Sequence, residues 1–225
     1  PDDVVLIKVN GQWQYRGITN SDVLRGLVQR ILDHPEGFTG EVVLFENGQS
    51  RGSMDGMGSL GSYPTTTVPH ANAEDESHSF QYLIDQVFAD PRVSGYFLDP
   101  IRNNWIAGDE HAEDGYRDAD FVSYPCFTTA RGTRVELREG IWTGTGYSDN
   151  LKLLNVPVLK HHGGSAMTGA LKHTYGILSM SVQNQRRQAY HYDRIGDATA
   201  DMFTLIRTPD LNLIDCIWVS HGNLQ

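Results

Sequence analysis

Val4-Val-Leu-Ile-Lys-Val9 and Gly40-Glu-Val-Val-Leu-Phe45 are short apolar runs rich in β-branched residues, and each predicts a buried strand. Between them, Thr19-Asn-Ser-Asp22 supplies helix-capping residues ahead of apolar side chains that recur at helical spacing. A strand, a helix and a strand in this order predict a parallel βαβ unit with a right-handed crossover. The unit places the chain in the α/β class.

The rest of the chain extends this architecture. Pro157 places the strand that contains it at a sheet edge or near that strand's own end. We expect one α/β domain over residues 1–225, with a mostly parallel or mixed sheet flanked by helices. The predicted elements are helices over 77–90, 166–178 and 195–206, strands over 133–141, 151–159 and 211–219, a solvated acidic loop over 109–120 and a flexible Gly-rich loop at about 48–62.

The composition excludes several classes of protein. The chain has 225 residues, 39% of them hydrophobic, and a formal net charge of −10, so we expect a folded domain without a nucleic-acid partner. No apolar run reaches the ~18 residues of a membrane helix, so we expect no transmembrane segment. Cys126 and Cys216 alone cannot hold an iron–sulfur cluster, and they allow either one disulfide or two thiols.

The segment from Leu159 to Lys172 concentrates residues that can carry chemistry. Lys160, His161 and His162 follow an apolar strand, and the carboxyl ends of parallel strands are where such sheets bind ligands. Gly163, Gly164 and Ser165 would open the next helix and offer free N–H groups to an anion, with Lys160 and Lys172 adding positive charge. His161 or His162 could carry a proton or bind a divalent metal, and the alternative is an ordinary Gly-Gly turn.

Two earlier strands end in polar residues that we expect at the same edge. Lys8 and Asn10 fall on one face of the first strand, and Glu46 follows the second strand. Lys8, Asn10 and Glu46 would bind a ligand in one cleft together with Lys160 and His162. The alternative is a structural ion pair between Lys8 and Glu46, because a lone buried ammonium is costly.

Three segments together resemble the DUF362 family of uncharacterised bacterial and archaeal proteins. They are Val5-Leu-Ile-Lys-Val-Asn10, Leu154-Asn-Val-Pro-Val-Leu-Lys-His-His162 followed by Thr168-Gly-Ala-Leu-Lys172, and Pro209-Asp-Leu-Asn-Leu-Ile-Asp215. Lys160, His162 and Lys172 fall on the polar positions of the family's pattern, and Tyr175-Gly176 fall on its aromatic-Gly pair. The similarity covers nearly the whole chain, and its most specific part is the Lys-x-His block.

The chain departs from the family pattern at two places. His173 stands where the family usually has Asn, which replaces a ligand-orienting amide by an imidazole. The family's C-terminal segment after the late strand is not seen before Gln225, and the chain opens at Pro1-Asp2, so we expect it to be trimmed or short. Many relatives have an iron–sulfur cluster or an export signal. The resemblance therefore implies an extracytoplasmic, periplasmic location, with a cytoplasmic one still open.

These observations favour a protein that binds a small anionic or metal-containing ligand in a cleft at the strand ends. Lys160, His162 and Lys172 are the candidate catalytic residues if the protein is a redox or group-transfer enzyme. Lys8, Asn10, Glu46, Gly163, Gly164 and Ser165 are the candidate ligand contacts. The alternative is a non-catalytic scaffold, either a homo-oligomer or a subunit of an extracytoplasmic complex.

Overall fold

A computed structural model of the chain describes residues 2–11, 17–47, 71–120, 122–179 and 193–220. The strands in these residues are β1 (Val4–Val9), β2 (Glu41–Glu46), β3 (Val93–Phe97), β4 (Gly115–Ala119), β5 (Val122–Thr128), β6 (Arg134–Glu136), β7 (Gly140–Trp142), β8 (Tyr147–Ser148), β9 (Leu151–Val156), β10 (Val158–His162), β11 (Ala166–Thr168), β12 (Leu211–Asn212) and β13 (Asp215–Ser220). The helices are α1 (Ser21–Leu32), α2 (Phe80–Tyr82, widened to a π-helix over Leu83–Phe88), α3 (Ala170–Thr174) and α4 (Ile195–Asp201, widened over Met202–Ile206), with short 3-10 turns at Asp99–Ile101 and Tyr175–Ile177.

A parallel sheet with the strand order β12-β9-β1-β2-β3 forms the centre of the fold. Its strands alternate between two apolar cores. Val4 and Leu6 face the core that also contains β5 and α4, whereas Val5, Ile7 and Val9 face the core that contains α1 and α2. Because both faces are covered, β1 and β2 are apolar nearly throughout, which is typical of parallel strands.

The predicted βαβ unit is confirmed at β1, α1 and β2. Helix α1 begins after Asn20, whose side-chain oxygen accepts the N–H groups of Asp22 and Val23 at 2.9 and 3.1 Å. The cap satisfies two N–H groups that have no partner within the helix. β1 and β2 pair in parallel with Val4 opposite Glu41. The predicted α/β class, with parallel and mixed sheets flanked by helices in one domain, is therefore confirmed.

An antiparallel sheet, β4-β5-β6-β7-β8, lies between β3 and β9 in the chain and was largely missed by the sequence analysis. Residues 115–119, predicted as part of a loop, form β4, and the predicted strand over 133–141 is a hairpin of β6 and β7. β6, β7 and β8 have only two or three residues each, and β4 and β6 contain charged residues, so alternation is weak in the sequence of this sheet. Cys126 is buried in β5, and Cys216 is exposed, so the structure has two free thiols.

Pro157 divides the predicted strand over 151–159 into two strands that join different sheets. β9 pairs with β1, whereas β10 pairs with β11 and β13 in a separate three-stranded sheet. The expectation that Lys160 and His162 follow a strand of the same sheet as Lys8 is therefore wrong. Proline lacks an N–H group for the ladder, so the chain can change sheets at this point.

The expectation that Gly163, Gly164 and Ser165 open a helix is also wrong. These residues form the turn of a hairpin in which His162 pairs with Ala166 and Lys160 pairs with Thr168. Helix α3 begins only at Ala170. The predicted flexible loop at about 48–62 lies outside the described residues. In the part of the chain that the structure describes, no helix has the length and apolar character needed to span a membrane.

The central strand β1 provides a test of the core. Leu6 is fully buried there, and Leu171 on α3 is 57% exposed. We expect Leu6→Ala to lower the free energy of unfolding by about 2–5 kcal/mol, because it removes buried methyl groups and leaves a cavity. The matched change Leu171→Ala should cost less than about 0.5 kcal/mol. Urea unfolding followed by circular dichroism measures both, and equal losses would contradict this packing.

Candidate functional site at the carboxyl ends of β1 and β9

The order of strands reverses between β1 and β9. From β1 the chain continues through β2 to β3 on one side, and later returns to place β9 and β12 on the other side. In open parallel sheets this reversal leaves a crevice at the carboxyl ends of the two strands, where ligands bind. Lys8 of β1 and Asn155 of β9 are paired at this end of the sheet.

Lys8 is buried and its ammonium group is held by several acceptors. The Nζ atom donates to the Val9 carbonyl oxygen at 2.6 Å and to Glu46 Oε1 at 2.9 Å, and it lies 3.4 Å from His173 Nε2. Glu46 also accepts the N–H groups of Gly11 and Asn47, at 2.6 and 2.7 Å. The Lys8–Glu46 ion pair therefore joins the carboxyl ends of β1 and β2, which is the structural role considered from the sequence.

His173 links β1 to β9 through its two ring nitrogens. Asn155 donates from Nδ2 to the Ala170 carbonyl oxygen and to Asn212 Oδ1, both at 2.8 Å, so its Oδ1 must act as an acceptor. His173 Nδ1 lies 2.6 Å from that oxygen and therefore carries the hydrogen, which leaves Nε2 to accept from Lys8. Burial and the positive charges of Lys8, Lys172 and Lys160 hold the pKa of His173 well below its usual value, so the ring is neutral.

Lys160 approaches the same region from the second sheet. It is 6% exposed, and its Nζ atom donates to the Gly17 carbonyl oxygen at 2.6 Å. Burial lowers the pKa of Lys160 well below its usual value, the nearby Lys172 and Lys8 lower it further, and Glu46 opposes them. Lys172 lies on α3 and is partly exposed. We call Lys8, Lys160 and Lys172 the lysine cluster.

Two buried oxygen atoms near the lysine cluster have no hydrogen-bond partner in the described part of the chain. Asn10 Oδ1 lies just beyond β1, where the residue's N–H donates to Thr19 Oγ1 at 2.8 Å. Thr168 Oγ1 lies on β11, directly across the ladder from Lys160. A buried polar atom without a partner is costly, and a bound water or ligand is a common reason for one. The arrangement therefore combines positive charge with acceptors that a ligand could use.

Comparison with known proteins gives a family for the second part of the chain. A family model described as "Domain of unknown function (DUF362)" matches residues 117–225. The match covers 109 of the 225 residues, and it supports the resemblance of this part of the chain to the DUF362 family. No curated protein and no solved structure matched the sequence significantly.

The DUF362 match includes some of the candidate residues and leaves others outside. Lys160, His162, Lys172 and His173 lie within it, together with Asn155. Lys8, Asn10 and Glu46 precede residue 117, so the similarity noted for their segment stays a prediction. The structure nevertheless brings Lys8 of the first part against His173 of the DUF362 part, at 3.4 Å. The cluster therefore depends on both parts of the chain.

The hairpin turn of the DUF362 region does not offer the free N–H groups expected from the sequence. His162 Nδ1 lies 3.1 Å from the Gly164 nitrogen and 3.2 Å from the Ser165 nitrogen, and it accepts both N–H groups. These donors are used within the turn, so the anion contacts expected from Gly164 and Ser165 have no support in its geometry. The same bonds leave Nε2 as the ring nitrogen of His162 that faces away from the turn.

The two adjacent histidines, which were predicted as metal ligands, differ in exposure. His161 is exposed and His162 is partly buried, because successive residues of a strand point to opposite faces. Alternation along β10 therefore disfavours the binding of one ion by both imidazoles. The described residues contain no group of three or more His, Cys, Asp and Glu residues that could hold a metal ion.

Sequence reasoning gave no role to Asn155, which fixes the orientation of His173, and treated His173 only as a departure from the family pattern. Asn155 lies inside an otherwise apolar strand and is fully buried. Buried side-chain amides are almost always hydrogen-bonded, so this position was a detectable signal for a polar network. Its partner His173 could not be identified from the sequence, because the hairpin of β10 and β11 separates α3 from β9.

We expect the neutral state of His173 to make the folded protein sensitive to acid. Below about pH 6.5 the unfolded chain protonates this histidine while the folded chain does not, so the unfolded state binds more protons. The free energy of unfolding should fall as the pH drops below about 6.5, by up to about 1.4 kcal/mol for each pH unit, until the folded pKa is reached.

His173→Asn should remove this contribution, because an amide can still accept from Lys8 and donate to Asn155 without titrating. Urea unfolding of both proteins between pH 5 and pH 8 measures the difference in slope. The same slope in the two proteins would show that His173 is not held neutral by the fold.

Proposed function

We propose that the lysine cluster binds a small anionic ligand in the crevice between β1 and β9. The observation that carries the proposal is the collection of Lys8, Lys160 and Lys172 at the point where the strand order reverses. This positive group lies in a chain whose formal net charge is −10, so it is a local exception to the charge of the protein. An anion would offset the mutual repulsion of the three amines.

The lysines differ in what they would contribute to binding. Lys8 is already paired with Glu46 at 2.9 Å, so we assign it to fixing the geometry of the crevice. Lys172, which is partly exposed, would make the main charge contact with the ligand. Asn10 Oδ1, which has no hydrogen-bond partner among the described residues, would accept a hydrogen bond from a ligand hydroxyl or amine.

In the catalytic version of this proposal the protein is a group-transfer or redox enzyme. His162 lies on the same face of β10 as Lys160, two residues further along. Its Nε2 would carry a proton to or from the ligand. The extracytoplasmic location belongs to the same proposal, because it comes from the resemblance to exported relatives. Cell fractionation of the native host would test it.

Binding of inorganic phosphate tests the proposal without knowledge of the natural ligand. We expect millimolar phosphate or sulfate to raise the thermal unfolding midpoint, by mass action on the folded state. Lys172→Gln should weaken phosphate binding about tenfold or more, since a charge-assisted hydrogen bond contributes about 1.5–3 kcal/mol. Thermal unfolding across a phosphate titration gives the apparent dissociation constant for each protein.

Lys152→Gln is the matched control, because Lys152 lies on β9 and is the one lysine of the sequence outside the cluster. It should leave the phosphate response unchanged. The anion site would be contradicted if phosphate did not shift the unfolding midpoint of the wild type. Equal weakening of phosphate binding in Lys172→Gln and Lys152→Gln would also contradict it. A chloride titration at equal ionic strength separates binding from general screening.

One observation favours a scaffold as the second candidate function. Strand β13 exposes three successive apolar residues, Ile217, Trp218 and Val219, and the outer two are 57% and 60% exposed. Adjacent strand residues face opposite sides, so β13 is exposed on both faces. An assembly subunit would use such a surface for contacts. An oligomer seen by light scattering of the purified protein, together with an absent phosphate response, would favour the scaffold over the anion site.

A further inference from the structure

A second group of polar side chains lies in the antiparallel sheet and shares no residue with the lysine cluster. Glu136 of β6 is fully buried, and its Oε2 atom lies 2.8 Å from Nη1 of Arg117 on β4. The Nδ1 atom of His111, in the loop before β4, lies 2.6 Å from Glu136 Oε1. A carboxylate can only accept hydrogen bonds, so His111 Nδ1 carries the hydrogen of this contact.

The other ring nitrogen of His111 is left open by these contacts. Nε2 has no hydrogen-bond partner in the part of the chain that the structure describes, and the side chain is 20% exposed. The ring stacks on Trp142 with centroids 3.7 Å apart and an angle of 11° between the planes, and the hydroxyl oxygen of Tyr147 lies 3.2 Å from Nδ1. These contacts fix the orientation of the ring. In the neutral ring the lone pair is therefore on Nε2, the nitrogen that none of these residues uses.

Glu136 distinguishes His111 from an ordinary exposed histidine. His34 is exposed, and its Nδ1 atom accepts the N–H group of Glu36 at 3.3 Å, which places the hydrogen of that ring on Nε2. A carboxylate that accepts one ring N–H group of a histidine fixes the tautomer and makes the other nitrogen more basic. His111 therefore combines an accessible lone pair with a partner that activates it.

We propose that His111 is a nucleophile that accepts the acyl group of a small uncharged ester at Nε2 and transfers it to water. The Nε2 lone pair attacks the carbonyl carbon, a carbon–nitrogen bond forms, and the carbon–oxygen bond of the ester breaks. The alcohol leaves with a proton taken from the solvent. Water then attacks the acyl carbon, the carbon–nitrogen bond breaks, and the carboxylic acid and one proton are released. The lysine cluster takes no part in this reaction.

The surroundings of His111 indicate the class of substrate. Glu136 is a positioning residue, which also stabilises the positive charge that develops on the ring when Nε2 forms its bond. Asp109 and Glu113 are exposed on the same loop as His111, so negative charge disfavours an anionic substrate. Tyr147 is 38% exposed and offers an aromatic surface to the apolar part of an ester.

Acylation of the wild-type protein tests the proposal without a variant. Diethyl pyrocarbonate transfers an ethoxycarbonyl group to uncharged imidazole, and peptide mass spectrometry locates the modified histidines. The reaction is followed at pH 8, where an ordinary imidazole is mostly uncharged. We expect His111 to be modified about tenfold faster than the more exposed His34, because Glu136 makes the open nitrogen more basic. Equal or slower modification of His111 would overturn the proposal.

Hydrolysis of 4-nitrophenyl acetate, an uncharged ester, tests the complete reaction through the release of nitrophenolate. His111→Gln keeps a donor for Glu136 and removes the nucleophile, so it should lower the protein-dependent rate by more than about half. The matched control His34→Gln should lower that rate by about a tenth or less, and equal losses in the two variants would overturn the proposal. The anionic ester 4-acetoxy-3-nitrobenzenesulfonate should react more slowly once both rates are divided by those with free imidazole. A faster reaction of the anionic ester would overturn the substrate class.

The role of Glu136 has its own test. Glu136→Gln should slow the modification of His111 about tenfold and leave that of His34 unchanged, because the fixed tautomer is lost. An unchanged rate at His111 would overturn the positioning role. Nitrogen-15 NMR of the wild-type imidazoles gives a second readout, which holds even where Glu136→Gln fails to fold. We expect the hydrogen of neutral His111 on Nδ1, and a hydrogen on Nε2 would overturn the proposal.

Discussion

The buried ammonium of Lys8 is the constraint on which the carboxyl end of the central sheet depends. An ammonium in an apolar strand costs several kcal/mol unless other groups pair with it. The chain supplies Glu46 from the end of β2, the Val9 carbonyl oxygen, and His173 from α3. Because His173 must reach Lys8, α3 is held against β1 and β9. Lys172 is the neighbour of His173 on that helix, so the same contact brings it toward Lys160.

The sequence predicted the parts of this arrangement that depend on local patterns. Apolar runs and a capping segment were sufficient to place β1, α1 and β2, and the resemblance to DUF362 drew attention to Lys160 and Lys172. Pairing across the sheets was beyond local patterns. The change of sheet at Pro157 depends on β13, which lies more than fifty residues later in the chain. The turn after His162 was misinterpreted because Gly-Gly-Ser suits a helix start and a hairpin equally well.

The two candidate sets of ligand contacts differ in whether their groups are satisfied without a ligand. The N–H groups of Gly164 and Ser165 are used by His162, which is a local arrangement that needs no ligand. The lysine cluster is different, because it places positive charges together at a cost to the folded state. Lys8 and Lys172 both disfavour the charged form of Lys160, and burial does so more strongly. Proteins that retain such an unfavourable arrangement of charges commonly do so for function.

The protonation state of Lys160 is the most direct test of this account. Lysine labelled with carbon-13 at Cε gives four signals in this chain, which single Lys→Arg variants assign. We predict that Lys160 titrates well below the usual value of a lysine, and that phosphate moves its titration upward because an anion stabilises the ammonium. Titration of Lys160 in the usual range of a lysine, unchanged by phosphate, would contradict this prediction.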